Sequence, residues 1–143
     1  MSEEEAKKRL VNELQFSDED IANLEIFKNY LLEYNSEYNL ISKSTENFIW
    51  SRHILDSAQL IKYFDSNSMG TLADLGTGAG FPGLILAIFN KNPKFHVKLY
   101  EKSPIKREFL SKVKKKININ AEIMENVYSG EIDADIIVSR AFK

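Results

Sequence analysis

Two kinds of apolar spacing divide the chain. Between residues 3 and 35 apolar side chains recur every three or four positions, with Ile21, Leu24, Phe27, Leu31 and Tyr34 on one face, which predicts helices over 3–14 and 18–35. Ser17 or Asp18 is placed to cap the second. A polar turn at Ser42-Lys43-Ser44 precedes a third predicted helix, from Thr45 through Trp50, Ile54 and Leu60 to about Phe64. Beyond the linker Asp65-Ser66-Asn67-Ser68 the pattern changes. Short, largely apolar runs at 71–75, 97–100, 122–124 and 135–139 read as buried strands, with helices expected at about 82–89 and 105–117 between them. Strands joined by helical crossovers imply an α/β fold with a parallel sheet, so a helical extension and cap over 1–68 precedes a sheet-forming unit over 69–143. The crossover from Glu125 to Ala134 is short enough to predict a short or irregular helix.

The junction between the first strand and its helix carries the densest chemistry. Asp74-Leu75-Gly76-Thr77-Gly78-Ala79-Gly80-Phe81-Pro82-Gly83 is a glycine turn that lets backbone approach a ligand, and Pro82 suits the first helical turn. A dinucleotide fingerprint, G-x-G-x-x-G, would place its third glycine at position 81, which is Phe81; a nicotinamide-dependent oxidoreductase is disfavoured on that count. The pattern present, D-x-G-x-G-x-G, resembles the first motif of the class I S-adenosylmethionine-dependent methyltransferases. That resemblance makes Asp74, Gly76, Thr77, Gly78, Gly80 and Phe81 candidate cofactor-binding residues. An acid beneath the loop suits a ligand carrying a sulfonium and an ammonium and would hinder a pyrophosphate. Glu101 closes the second strand, where nucleotide-binding α/β folds place a carboxylate for the ribose hydroxyls. Glu125 and Asn126 end the third strand at the same carboxyl edge and could receive an adenine amino group.

Composition narrows the classes. With 143 residues and 43% hydrophobic content the chain can bury an ordinary core, and without cysteine it has no disulfide or thiolate metal site. His53 and His96 are the only histidines, so no metal centre is expected. The acidic N-terminus lacks signal-peptide character and no apolar run reaches the length of a membrane span, which predicts a soluble, cytoplasmic protein with no membrane partner. The net charge of −2 hides a segregation: Lys102, Lys106, Arg107, Lys112, Lys114, Lys115 and Lys116 are opposed within their stretch only by Glu108. That stretch is either a solvated helix face or a nucleic-acid contact.

Several segments together resemble one family. Gly76 to Gly83 is similar to the signature loop of the GidB/RsmG family, bacterial methyltransferases of small-subunit ribosomal RNA. Tyr38-Asn39-Leu40-Ile41-Ser42 and His53-Ile54-Leu55-Asp56-Ser57 resemble that family's N-terminal motifs. Lys106-Arg107 with Phe109-Leu110 resembles its segment after the second strand, and Ser139-Arg140-Ala141-Phe142 its motif after the fourth. The likeness runs from about Tyr30 to the end. It implies a Rossmann-like class I methyltransferase domain, S-adenosylmethionine as cofactor, and methylation of guanine N7 in 16S ribosomal RNA or a small-subunit precursor by a monomer. No acid or base is implied. Arg140 would contact guanine or its phosphate beside the cofactor, Arg52 and His53 would reach over the cleft, and Lys106 and Arg107 would guide the RNA backbone. Trp50, Tyr38 and Phe81 are expected in the core rather than as base-stacking platforms. Two departures stand out: Ile123 occupies a position where the family commonly has arginine, and family members continue beyond the point where this chain stops at Lys143. The expectation is therefore a sheet missing its C-terminal strands, with a cofactor- or RNA-binding module without turnover as the alternative function.

Overall fold

The computed structural model describes residues 1–125 and 132–140. Two helices open the chain, α1 (Glu3–Asn12) and α2 (Asp18–Asn35). Ser17 is the cap of α2: its hydroxyl accepts from the Asp20 N–H at 3.0 Å, and Asp20 Oδ2 accepts from the Ser17 N–H at 3.0 Å. Two donors otherwise orphaned at a helix start are thus both used. Leu24, Phe27 and Leu31 on α2 are fully buried.

The third predicted helix takes a different form. Residues 43–63 wind as a 3₁₀ segment (Lys43–Phe48), a π segment (Ile49–Leu55), one α turn (Asp56–Ala58) and a second 3₁₀ segment (Gln59–Tyr63). The buried residues explain the departure. Ile49 and Trp50, His53 and Ile54, and Ser57 and Ala58 are buried at a spacing of four, with Leu55 buried beside the second pair. On a 3.6-residue turn four residues advance about 400°, so the stripe would drift by about 40° per repeat. The π winding turns that drift the other way by a similar angle, and the α turn that follows brings the stripe back to one face.

The sheet consists of β1 (Gly70–Leu75), β2 (Phe95–Tyr100), β3 (Ala121–Met124) and β4 (Ile136–Val138), all parallel, in the order β3-β2-β1-β4. Helices α3 (Gly83–Phe89) and α4 (Pro104–Ile117) connect the first three strands. Every residue of α3 before Phe89 is buried, as a short apolar helix under a cap requires. The N-terminal helices and the sheet share one apolar core. The ring of Phe27 on α2 lies 5.5 Å from that of Phe81 in the glycine segment and 6.0 Å from that of Phe109 on α4. The short helix expected between Glu125 and Ala134 falls largely outside the described residues, as does Asn126. No helix among the described residues is long and apolar enough to cross a membrane.

Candidate functional site

β1 lies between β2 and β4, so the strand order reverses beside it. In open parallel sheets ligands gather outside the carboxyl ends of the strands at such a reversal. The glycine segment leaves β1 there. Gly76, Gly78 and Gly80 have φ of 71°, 60° and 108°, three left-handed positions in five residues, which side chains other than hydrogen adopt only under strain. The loop is tied to β2, because the N–H groups of Gly76 and Thr77 both donate to the Tyr100 carbonyl, at 2.9 and 3.0 Å.

Gly83 serves packing instead. A Cβ there would lie 2.5 Å from Leu99 Cδ2 and 2.8 Å from Asp74 Cβ, so α3 rests directly on β1 and β2. The close-packing glycine that a dinucleotide pattern seeks at position 81 is present two residues later, and spacing alone did not reveal its role. Pro82, expected in the first helical turn, stands instead at the N-cap of α3, one place before its first helical residue, and its carbonyl accepts from the Leu86 N–H at 3.1 Å.

Asp74 is fully buried beneath the loop. Its Oδ2 accepts from the Gly83 N–H at 2.7 Å, while Oδ1 has no hydrogen-bond partner among the described residues. Burial pushes this carboxyl up to about 6; the Thr77 side chain and the Gly83 N–H oppose the rise, and the nearby Glu101 charge adds to it. The Thr77 hydroxyl is itself buried, close enough to favour the carboxylate yet outside hydrogen-bond geometry. Glu101, also buried, turns toward the same loop: Oε1 accepts from the Gly78 N–H at 2.8 Å and Oε2 from the Ser103 N–H at 2.9 Å. A carboxylate carries about four acceptor positions, so both oxygens retain capacity.

The N-terminal cap closes the site from above. His53 is buried, its ring stacked on Phe81 at 4.9 Å. Arg140, just past β4, has its guanidinium carbon 5.3 Å from the Phe81 ring centre and its Nη2 2.6 Å from His53 Nδ1. A guanidinium only donates, so Nδ1 is the acceptor and the proton sits on Nε2, which donates to Thr45 Oγ1 at 2.8 Å. Burial, and then the Arg140 charge, lower the His53 pKa to about 4. Thr45 had no place in the predicted site, since nothing in its sequence neighbourhood connects it to Arg140.

The remaining predicted residues divide. Arg52 is exposed, its guanidinium carbon 5.2 Å from the Phe48 ring centre. Lys106 is half-buried, and its ammonium makes no hydrogen bond or ion pair with any described residue. Arg107 is committed within the chain: Nη1 donates to the carbonyls of Glu101 and Lys102, each at 2.9 Å, pinning the turn after β2. Glu125 is exposed past β3. Trp50 and Phe81 are buried as expected, whereas Tyr38 is 41% exposed beside Tyr34. No cluster of three metal-ligating side chains occurs among the described residues. A cleft of about 460 Å³ opens at the opposite, amino end of β2 and β3. The amides of Asn90, Asn92 and Asn120 there bond to the chain's own carbonyls, which makes it a braced turn region.

The geometry at the carboxyl end therefore combines loop backbone that reaches the surface at Gly76 and Gly78, a buried acid with one unpaired oxygen and an unpaired hydroxyl. An unpaired buried oxygen costs on the order of 1–3 kcal/mol. A small cationic ligand with hydroxyl groups fits this donor set.

The model of the GidB family, rRNA small subunit methyltransferase G, matches residues 20–143. The chain belongs to that family. It is 43% identical over 131 residues to the ribosomal RNA small subunit methyltransferase G of Pelagibacter ubique, covering 87% of this chain and 61% of that one. It is 41% identical over 125 residues to the protein of the same name from Rickettsia felis, covering 87% and 63%. The chain thus spans less than two thirds of these relatives' length. Among solved structures it resembles an S-adenosyl-L-methionine-dependent methyltransferase from Methanococcus maripaludis, with a TM-score of 0.52 at 21% identity over 80% of this chain and 49% of the other. Coclaurine N-methyltransferase gives 0.51 at 18% identity over 96% and 50%. The four parallel strands with their helices have the class I methyltransferase fold, and the GidB family likeness extends through the cap to the segment bearing Arg140.

Proposed function

We propose that this chain carries the cofactor-binding part of an S-adenosylmethionine-dependent methyltransferase that acts on guanine N7 in 16S ribosomal RNA. The observation that carries the reading is the loop of three left-handed glycines above a buried carboxylate with one oxygen unpaired. When bound, S-adenosylmethionine supplies a methyl group activated on a sulfonium. The backbone from Gly76 to Gly80 would lie against it, and the Asp74 charge favours its cationic centres where it would repel a pyrophosphate. Glu101 already bonds the loop at Gly78 and keeps acceptor capacity for ribose hydroxyls.

Guanine N7 attacks with a free lone pair and loses no proton, so the chain needs no catalytic base. Its work is to hold N7 in line with the methyl group and to meet the charge change with fixed groups. Arg140, whose guanidinium lies over Phe81, is our candidate for this, and a grip on phosphate would leave the N7 edge free to react. Lys106 and Arg52, neither paired with an acid among the described residues, would add positive charge toward the RNA backbone.

Calorimetry of the 143-residue chain with S-adenosylmethionine is expected to show one site, and labelled methyl is expected to pass to undermethylated small-subunit RNA. A folded chain that takes up no cofactor would sink the reading. Coverage of only 61–63% of the relatives favours a second reading, binding without turnover. Cofactor and RNA binding with no transferred label would support that one.

A further inference from the structure

We infer that His53, fixed by Thr45 as the tautomer with its proton on Nε2, is an uncharged handle that orients Arg140 for an RNA phosphate without neutralising it, so that residues 45–53 are a positioning element for the substrate. The inference rests on the RNA reading above and assigns roles to Thr45 and His53 within it.

The argument begins with what holds a guanidinium in place. Arg140 is exposed and lies at the end of a three-residue strand, and a free arginine there would sample many rotamers. Two contacts restrict it: the face of Phe81 at 5.3 Å and the hydrogen bond to His53 Nδ1 at 2.6 Å. Phe81 is itself fixed by Phe27 below and the stacked imidazole above. Proteins usually orient an arginine with a carboxylate, and that choice has a consequence for anion binding. An ion pair cancels most of the charge that an incoming phosphate would feel, and the phosphate must then displace a competing anion. A neutral imidazole accepts one of the five N–H groups, leaves the positive charge intact, and is a weaker acceptor than phosphate oxygen.

The imidazole serves only in one tautomer. With the proton on Nδ1 it would present a donor to a donor. The Thr45 hydroxyl gives its own proton to the Ser42 carbonyl at 3.0 Å, so toward Nε2, 2.8 Å away, it accepts and selects the required form; the winding from Thr45 to His53 carries both residues to the site. The charged groups facing His53 are Arg140 from the end of β4 and Arg52 and Asp56 from its own segment; burial and the two arginines outweigh Asp56 in keeping the ring neutral.

Nitrogen-15 NMR of the imidazole and salt titrations of binding to a small-subunit ribosomal RNA transcript test this. At pH 7 His53 is expected to show an unprotonated Nδ1 and a protonated Nε2. Thr45→Val should shift it toward a tautomer mixture, and Arg140→Ala should raise its pKa. His53→Ala should weaken RNA binding several-fold, His53→Gln should restore most of it because a side-chain carbonyl also accepts without charge, and His53→Glu should lower the slope of log affinity against log salt by about 1, matching Arg140→Ala. A protonated Nδ1 overturns the handle. So does a His53→Glu chain that binds RNA with wild-type affinity and slope. If the wild-type chain binds no RNA, the RNA reading and the phosphate role fall together, while the NMR arm still decides whether Thr45 and His53 hold Arg140.

Discussion

Asp20 and Asp74 are both aspartates removed from solvent, 2% and 0% exposed, and they end in opposite conditions. Asp20 gives Oδ2 to the Ser17 N–H and Oδ1 to the Lys91 ammonium, which also binds the Ile88 carbonyl at the end of α3. Every oxygen of Asp20 has a partner, and the group joins the start of α2 to the end of α3. Asp74 Oδ2 accepts from the Gly83 N–H, and Oδ1 is left unpaired under a loop of left-handed glycines. Burial alone therefore does not separate scaffold from site. Completeness separates this pair: the completed Asp20 ties two helices together, and the open oxygen of Asp74 lies beneath the loop proposed to take the cofactor.

Protonation breaks the comparison most strongly, because the incomplete end carries two groups with opposite shifts. The folded-state pKa of His53 is lowered from 6.5 to about 4, so its contribution to stability is present above 6.5 and lost as pH falls through 4. That of Asp74 is raised from 3.8 to about 6, so its contribution is present below 3.8 and lost as pH rises through 6. Each shift corresponds to roughly 3 kcal/mol at most, at about 1.4 kcal/mol per unit, and the two nearly cancel. Urea denaturation between pH 4.5 and 7.5 should show this. Relative to wild type, Asp74→Asn should lose stability as pH falls, and His53→Gln should gain it. Parallel pH profiles for the two variants would remove the distinction drawn for Asp74.

Substituting the two aspartates directly is the next test. Asp20→Ala should cost about 2 kcal/mol in denaturant unfolding, since it removes a helix cap and leaves Lys91 without its carboxylate. Asp74→Asn should cost less than about 1 kcal/mol at pH 7, because the amide oxygen can still accept from Gly83 while the unpaired charge disappears. The same change should weaken S-adenosylmethionine binding by about tenfold or more in calorimetry. Equal losses of stability in the two variants, with cofactor binding intact in Asp74→Asn, would make Asp74 ordinary scaffold.

These contrasts also mark what was readable in the chain. The alternation of strand, glycine turn and helix is local, and the elements from Gly70 to Ile117 lie within two residues of their expected limits. The segment from Lys43 to Tyr63 was not readable as a 3.6-residue helix because its burial repeats every four residues, a pattern imposed by the surface beneath it. The pairing of His53 with Arg140 joins residues 87 apart, so no spacing rule reaches it. Arg107 and Lys106 looked alike in sequence, since a run of bases shows charge but not which cation bonds to the chain itself.

That last pair gives the smallest and most selective prediction. Arg107 resembles Asp20, its Nη1 committed to the carbonyls of Glu101 and Lys102. Lys106 resembles Asp74, with an ammonium that bonds to no described residue. Arg107→Ala should therefore cost about 1 kcal/mol of stability, the worth of a charged hydrogen bond at a partly exposed turn, and leave the salt dependence of RNA binding unchanged. Lys106→Ala should keep stability within about 0.5 kcal/mol and lower the salt slope by about 1. The reverse outcome, with Arg107 setting the slope and Lys106 the stability, would show that a cation committed within the free chain is surrendered to RNA, and completeness would then fail as a guide on this side of the site.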